Sequence, residues 1–172
     1  MNCIASMCKS KTNKMKKNLV DDALELVLTI TCYVLITQFN LSVEKARWIL
    51  NRIEYNALIM RDKEEMTFED YEQILKEEYN FNLDLSRLYQ KEANTKTAIM
   101  KQVTNHNAMC YTLTMVAYIL LDKIGLNKNR TETIIKRTLF YVNCVCKNDI
   151  EIEKYKAELK QKYNCEINIT GR

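Results

Sequence analysis

Residues 71–80 read YEQILKEEYN and residues 155–164 read YKAELKQKYN, with Tyr, Leu, Lys, Tyr and Asn at the same five places. Tyr, Leu and Tyr fall at i, i+4 and i+8, one face of a helix, so the recurring side is the side predicted to be buried. The outside does not recur. Over residues 68–80 the first segment sets Glu69, Asp70, Glu72, Glu77 and Glu78 against Lys76. Over residues 152–164 the second sets Lys154, Lys156, Lys160 and Lys162 against Glu153 and Glu158.

The match extends outward from these helices. A shift of 85 aligns Ala23 with Ala108, Leu28 with Leu113, Thr29 with Thr114, Tyr33 with Tyr118, Leu35 with Leu120, Leu41 with Leu126, Ile49 with Ile134 and Arg52 with Arg137. A shift of 84 then adds Glu69, Tyr71, Leu75, Lys76, Tyr79 and Asn80 against Glu153, Tyr155, Leu159, Lys160, Tyr163 and Asn164. Such self-similarity is the sequence mark of a duplicated structural unit.

Each copy is predicted to hold three helices. Helix A, about 19–39 and about 98–124, is apolar nearly all round, as a central buried helix would be. Asn40 and Gly125 follow it, the two residue types that best tolerate a left-handed cap, and Ser42 and Asn127 are then N-caps for helix B. Helix B shows Ala46, Ile49, Leu50, Ile53, Ala57 and Met60 on one stripe, matched by Ile134, Ile135, Thr138, Val142 and Val145. Helix C starts after Thr67, with Asp70 placed for a capping box. The organisation expected is therefore a basic N-terminal segment (1–20), a first repeat (21–84), a helical connector (85–104), a second repeat (105–168) and a short tail (169–172). The two copies are expected to pack on each other in one helical domain, for which a pseudo-twofold arrangement is one solution.

Composition agrees with an all-α fold. The 172 residues are 47% hydrophobic, contain no proline, and place glycine only at Gly125 and Gly171, which leaves almost no material for tight hairpins. Seven cysteines without framework spacing fit reduced thiols better than a disulfide scaffold. The start of the chain holds lysines and no apolar run of signal-peptide length, so an intracellular, cytoplasmic protein is expected. The uncharged apolar runs 26–39 and 108–121 are short of the roughly 20 residues that a membrane span needs.

Few residues invite chemistry. Two glycines so placed cannot build a phosphate loop, and Cys144 and Cys146, two apart on a helix, point to different sides of it. No cofactor and no metal are expected. His106 and Cys110 lie four apart on one face, the spacing of a nucleophile pair, but no orienting group or oxyanion hole is legible, and an enzyme is not the expected reading. Arg52 and Arg137 recur at the edge of the helix B stripe, either as packed stems or as a pair that grips an anion. The Asn40-Leu41-Ser42 corner between helices A and B has the outline of a helix-turn-helix, and the second helix B is the more basic, with Lys128, Arg130, Lys136 and Arg137.

Charge is unevenly spread, with net +5 over residues 1–20, −8 over 21–84, +3 over 85–104 and +4 over 105–172. Asp62, Glu64, Glu65, Glu69, Asp70, Glu72, Glu77 and Glu78 form the densest acidic run, read either as a solvated face or as a docking surface for a basic partner. The duplicated unit with its LKEEYN tag, over residues 21–168, resembles uncharacterised small helical proteins of Firmicutes phages and mobile elements. That resemblance implies an accessory protein and assigns no active residues. Three functions stay open at this point: a non-enzymatic binding protein that modulates a host protein, a nucleic-acid-binding regulator, and a small enzyme or ligand sequesterer. Homo-oligomerisation is compatible with each.

Overall fold

The computed structural model describes residues 2–63, 68–89 and 94–167, with side chains at 18–56, 69–89 and 94–167. Every regular element among them is helical. In chain order these are α1 (Asn2–Thr37), α2 (Val43–Lys63), α3 (Phe68–Glu77), α4 (Lys96–Tyr118), α5 (Lys128–Cys146) and α6 (Ile152–Tyr163), with a π-helical turn at Ile119–Lys123 prolonging α4. Among the described residues no helix is long and apolar enough to cross a membrane.

The two apolar runs become the centre of the fold. α1 and α4 make the most extensive contact in the molecule, and Val27, Leu28, Ile30, Val34, Leu35, Leu113, Met115, Val116 and Leu120 are buried around it. α2 and α5 pack on both central helices through the stripes read from sequence, with Ala46, Ile49, Ile53, Ile134, Thr138 and Val142 wholly buried. The predicted stripe residues Ala57 and Met60 lie outside the described side chains.

The third helices cross over. α3 packs on α4, and α6 packs on α1, so each rests on the central helix of the other half. The recurring tyrosines carry both contacts. The Tyr71 ring meets Tyr118 at 5.0 Å and 63°, while Tyr155 meets Tyr33 at 4.9 Å and 70°. Both are the edge-to-face arrangement that aromatic quadrupoles favour.

The recurring Asn80 and Asn164 end these helices in the left-handed region, at φ 46° and 49°. The next N–H then reaches back six residues, Phe81 to the Leu75 carbonyl at 2.8 Å and Cys165 to the Leu159 carbonyl at 3.1 Å, and each of these next residues is buried. This is a left-handed helix end, one residue wider than a Schellman turn, with an apolar residue after it. Asn40 and Gly125 (φ 52° and 71°) close α1 and the π turn likewise, with Leu41 N–H to Leu35 at 3.0 Å and Leu126 N–H to Leu120 at 2.9 Å. The predicted N-caps are in place. Ser42 Oγ accepts from Lys45 N–H at 3.2 Å and Asn127 Oδ1 from Arg130 N–H at 2.9 Å.

The basic segment 1–20 lies within α1, which runs unbroken from Asn2, as a stretch without Gly or Pro permits. The connector 85–104 is not helical throughout: residues 85–89 are a turn, and α4 starts at Lys96, where Thr95 Oγ1 caps Ala98 N–H at 3.2 Å. Asp84 Oδ1 takes both the N–H and the hydroxyl of Ser86 (3.0 and 2.6 Å), a local bond that competes with a helix, and Leu88 turns into the core. The capping-box residue Thr67 lies outside the described residues.

Candidate partner-binding face

Burying Tyr71 and Leu75 under α3 turns its remaining residues outward, and Glu69, Asp70, Glu72, Glu77 and Glu78 are all exposed. Among the described residues none of Glu69, Glu72, Glu77 and Glu78 is in an ion pair; Glu77 accepts only from the amide of Gln73, at 2.9 Å. Of the other predicted acids, the Asp62 side chain, Glu64 and Glu65 lie outside what is described. On the matched helix three of the four lysines are paired within the chain. Lys156 of α6 bridges Glu25 at 2.5 Å, Lys160 bridges Glu166 at 2.6 Å and Lys162 bridges Glu158 at 2.8 Å.

The preceding helix adds what the sequence reading did not single out. Trp48, Arg52 and Tyr55 of α2 lie at i, i+4 and i+7, one face, and Trp48 and Tyr55 are 48% and 52% exposed. Trp48 falls just off the buried Ala46, Ile49, Leu50, Ile53 stripe, which was the available signal. The Arg52 guanidinium lies 5.3 Å over the Tyr55 ring. It also ties this row to α3, since burial pushes the Tyr71 hydroxyl up and the nearby Arg52 charge opposes that push.

Arg137, the counterpart of Arg52, is exposed on α5 three residues before Phe140, itself 59% exposed. α2 and α5, which carry the two arginines, each pack on α1 and α4.

A helix-turn-helix reading needs free cations along the second helix. Of the four basic residues singled out on α5, three have partners within the chain and Arg137 is exposed. Lys128 donates to the Asn80 carbonyl, Arg130 lies 5.9 Å over the Phe39 ring, Lys136 pairs with Glu132 at 2.7 Å, and on α2 Arg47 donates to the Asn164 carbonyl at 3.0 Å. Lys128 and Arg47 each sit at the negative end of a third helix, where a cation is stabilised.

His106 Nε2 and Cys110 Sγ do approach, at 3.4 Å. Burial, and then the Glu72 charge, push the Cys110 thiol up, which opposes the thiolate a nucleophile requires. Beside His106 is a shallow hollow of about 320 Å3 lined in part by Tyr89, Lys101, Gln102, Asn105 and Met109, with its polar side chains only half-buried or exposed. Among the described residues no group of three His, Cys, Asp or Glu side chains is placed to hold a metal ion.

The π turn holds one further polar cluster. Asp122 accepts from the Tyr79 hydroxyl at 2.8 Å and pairs with Lys123 at 2.6 Å. The Lys123 bond, with help from Tyr79 and Tyr118, holds the Asp122 carboxyl below its usual range although burial opposes this. It fixes the end of α3 to the end of α4.

Compared with protein-family models, with curated proteins and with solved structures, the chain matches none of them, and its function is read from the geometry above.

Proposed function

We propose that the chain is a tandem duplication of a three-helix unit whose halves exchange their third helices, and that it acts as a non-enzymatic protein-binding accessory protein. The reciprocal Tyr71–Tyr118 and Tyr33–Tyr155 contacts support the duplication. In the binding reading, the α2–α3 face docks a basic segment of a partner. One observation carries it: exposed Trp48 and Tyr55 flank Arg52, whose charge reaches the Tyr71 hydroxyl of α3, and among the described residues Glu69, Glu72 and Glu77 of that helix are in no ion pair. Trp, Tyr and Arg are the residues that dominate binding energy at protein interfaces, and a one-signed rim steers encounter. The sequence resemblance to phage and mobile-element proteins makes a host protein of basic surface the partner in this reading, and inhibition or modulation by occupancy the mode of action.

The test immobilises the chain and challenges it with a Firmicute lysate at two salt concentrations. Replacing Glu69, Asp70, Glu72 and Glu77 by Lys, or Trp48 by Ala, is expected to reduce capture of basic proteins by roughly tenfold. Lys-to-Glu changes at Lys154 and Lys160 on α6 serve as the charge control. Equal losses from both helices would reduce the effect to bulk charge, and unchanged capture by the α3 variant would reject the docking face.

A further inference from the structure

Cys32 on α1 and Cys165, just past α6, are 133 residues apart in the chain, yet their sulfurs are 3.9 Å apart and both side chains are buried. At the matched positions of the other half stand Ala117 and Phe81, also buried, so the same corner packs with an apolar pair and has no need of sulfur. The local backbone holds Cys165 in this place. The left-handed Asn164, the Cys165 N–H to Leu159 bond (3.1 Å), the Arg47 bond to the Asn164 carbonyl (3.0 Å) and the Lys160–Glu166 pair (2.6 Å) all converge on it. The other cysteines whose side chains are described are placed differently: Cys110 lies against His106, while Cys144 and Cys146 sit two apart on α5.

We propose that Cys32 and Cys165 are a redox pair that a hydroperoxide closes into a disulfide, locking the end of α6 onto the central helix α1. Two small steps suffice. The Cys165 sulfur attacks the peroxide O–O bond, becomes a sulfenic acid and releases an alcohol or water. The Cys32 sulfur then attacks the Cys165 sulfur, forms the S–S bond and expels water. The two thiols lose two electrons and the peroxide gains them. Closure shortens the sulfur separation by about 2 Å, and a hydroperoxide is small enough to be the oxidant for a buried pair. Burial pushes the Cys32 thiol up while the Arg47 charge works the other way. Cys165, past the end of α6 and not within the central helix α1, is assigned the first step, in which it is oxidised.

The experiment treats the reduced full chain with hydrogen peroxide, caps the remaining thiols with N-ethylmaleimide, and maps peptides by mass spectrometry beside a thermal melt. The expected product is a linked peptide pair containing Cys32 and Cys165, two hydrogens lighter than its parts and released by dithiothreitol. Because the link closes so long a loop, the melting temperature should rise by roughly 5–15 °C. Oxidation confined to other cysteines overturns the proposal, and so does a linked pair that leaves the melting temperature unchanged. A Cys32→Ala/Cys165→Phe variant, built on the matched Ala117–Phe81 pair, should melt at one temperature with or without peroxide. If its melting temperature still rises with peroxide, the lock lies elsewhere and the proposal fails. Should that variant not fold, the peptide map of the unaltered chain still decides.

Discussion

α3 and α6 share a buried face and oppose each other in surface charge. Under both helices a Tyr and a Leu pack on a central helix, and at both ends an Asn turns the chain left-handed. Outside, α6 pairs three of its four lysines with Glu25, Glu158 and Glu166, whereas among the described residues Glu69, Glu72 and Glu77 of α3 and the following Glu78 are in no ion pair. Burial constrains residue identity through packing, which punishes even one lost methylene. An exposed charge is nearly neutral for stability, so it is free to be spent on binding or on solubility.

The comparison breaks first at the core. Leu75 and Leu159 are 1% and 0% exposed, so Leu75→Ala and Leu159→Ala should each cost about 2–5 kcal/mol in chemical denaturation. Near-equal losses fit two equivalent corners. A loss below about 1 kcal/mol at either site would show that its helix is not clamped as the contacts describe.

A smaller effect sharpens the caps. Asn80→Ala and Asn164→Ala place an alanine at φ near +46° and +49°, and each should cost about 1–2 kcal/mol. Asn→Gly at the same sites should cost far less. Gly125 has open space where a Cβ would stand, so Gly125→Ala isolates the backbone cost alone, about 1 kcal/mol, and Gly125→Asn should recover part of it.

The smallest effect separates the halves by pH. The bond to the Asp122 carboxylate pushes the Tyr79 hydroxyl up to about 12, above its ordinary value of 10. A raised folded-state value means that the contribution is complete below pH 10 and is lost as pH rises from 10 towards 12. Tyr79→Phe should therefore melt below the parent at neutral pH and converge with it across that window. Tyr163→Phe is the comparison at the end of α6, where Thr37 stands at the position matched to Asp122 and offers a hydroxyl instead of a carboxylate. Identical pH profiles for the two variants would remove Asp122 from the account.

What the amino-acid sequence determined by itself was local: an all-helical chain, six helices at their approximate places, the Ser42 and Asn127 caps, and the buried faces of α2, α3, α5 and α6. Each follows from helical periodicity or cap chemistry, which act within a turn or two of chain. The turn after Asp84 escaped because one side-chain bond and the inward pull of Leu88 outweigh ordinary helix propensity there. Only the tertiary structure decided that α3 lies on α4 and α6 on α1, that Trp48 and Tyr55 face outward, and that Cys32 meets Cys165. A buried stripe states that a helix must be covered and not what covers it, because hydrophobic burial is non-directional and many partners satisfy it equally. The choice among them is made by shape at contacts far apart in sequence, such as Tyr33 with Tyr155 and Tyr71 with Tyr118.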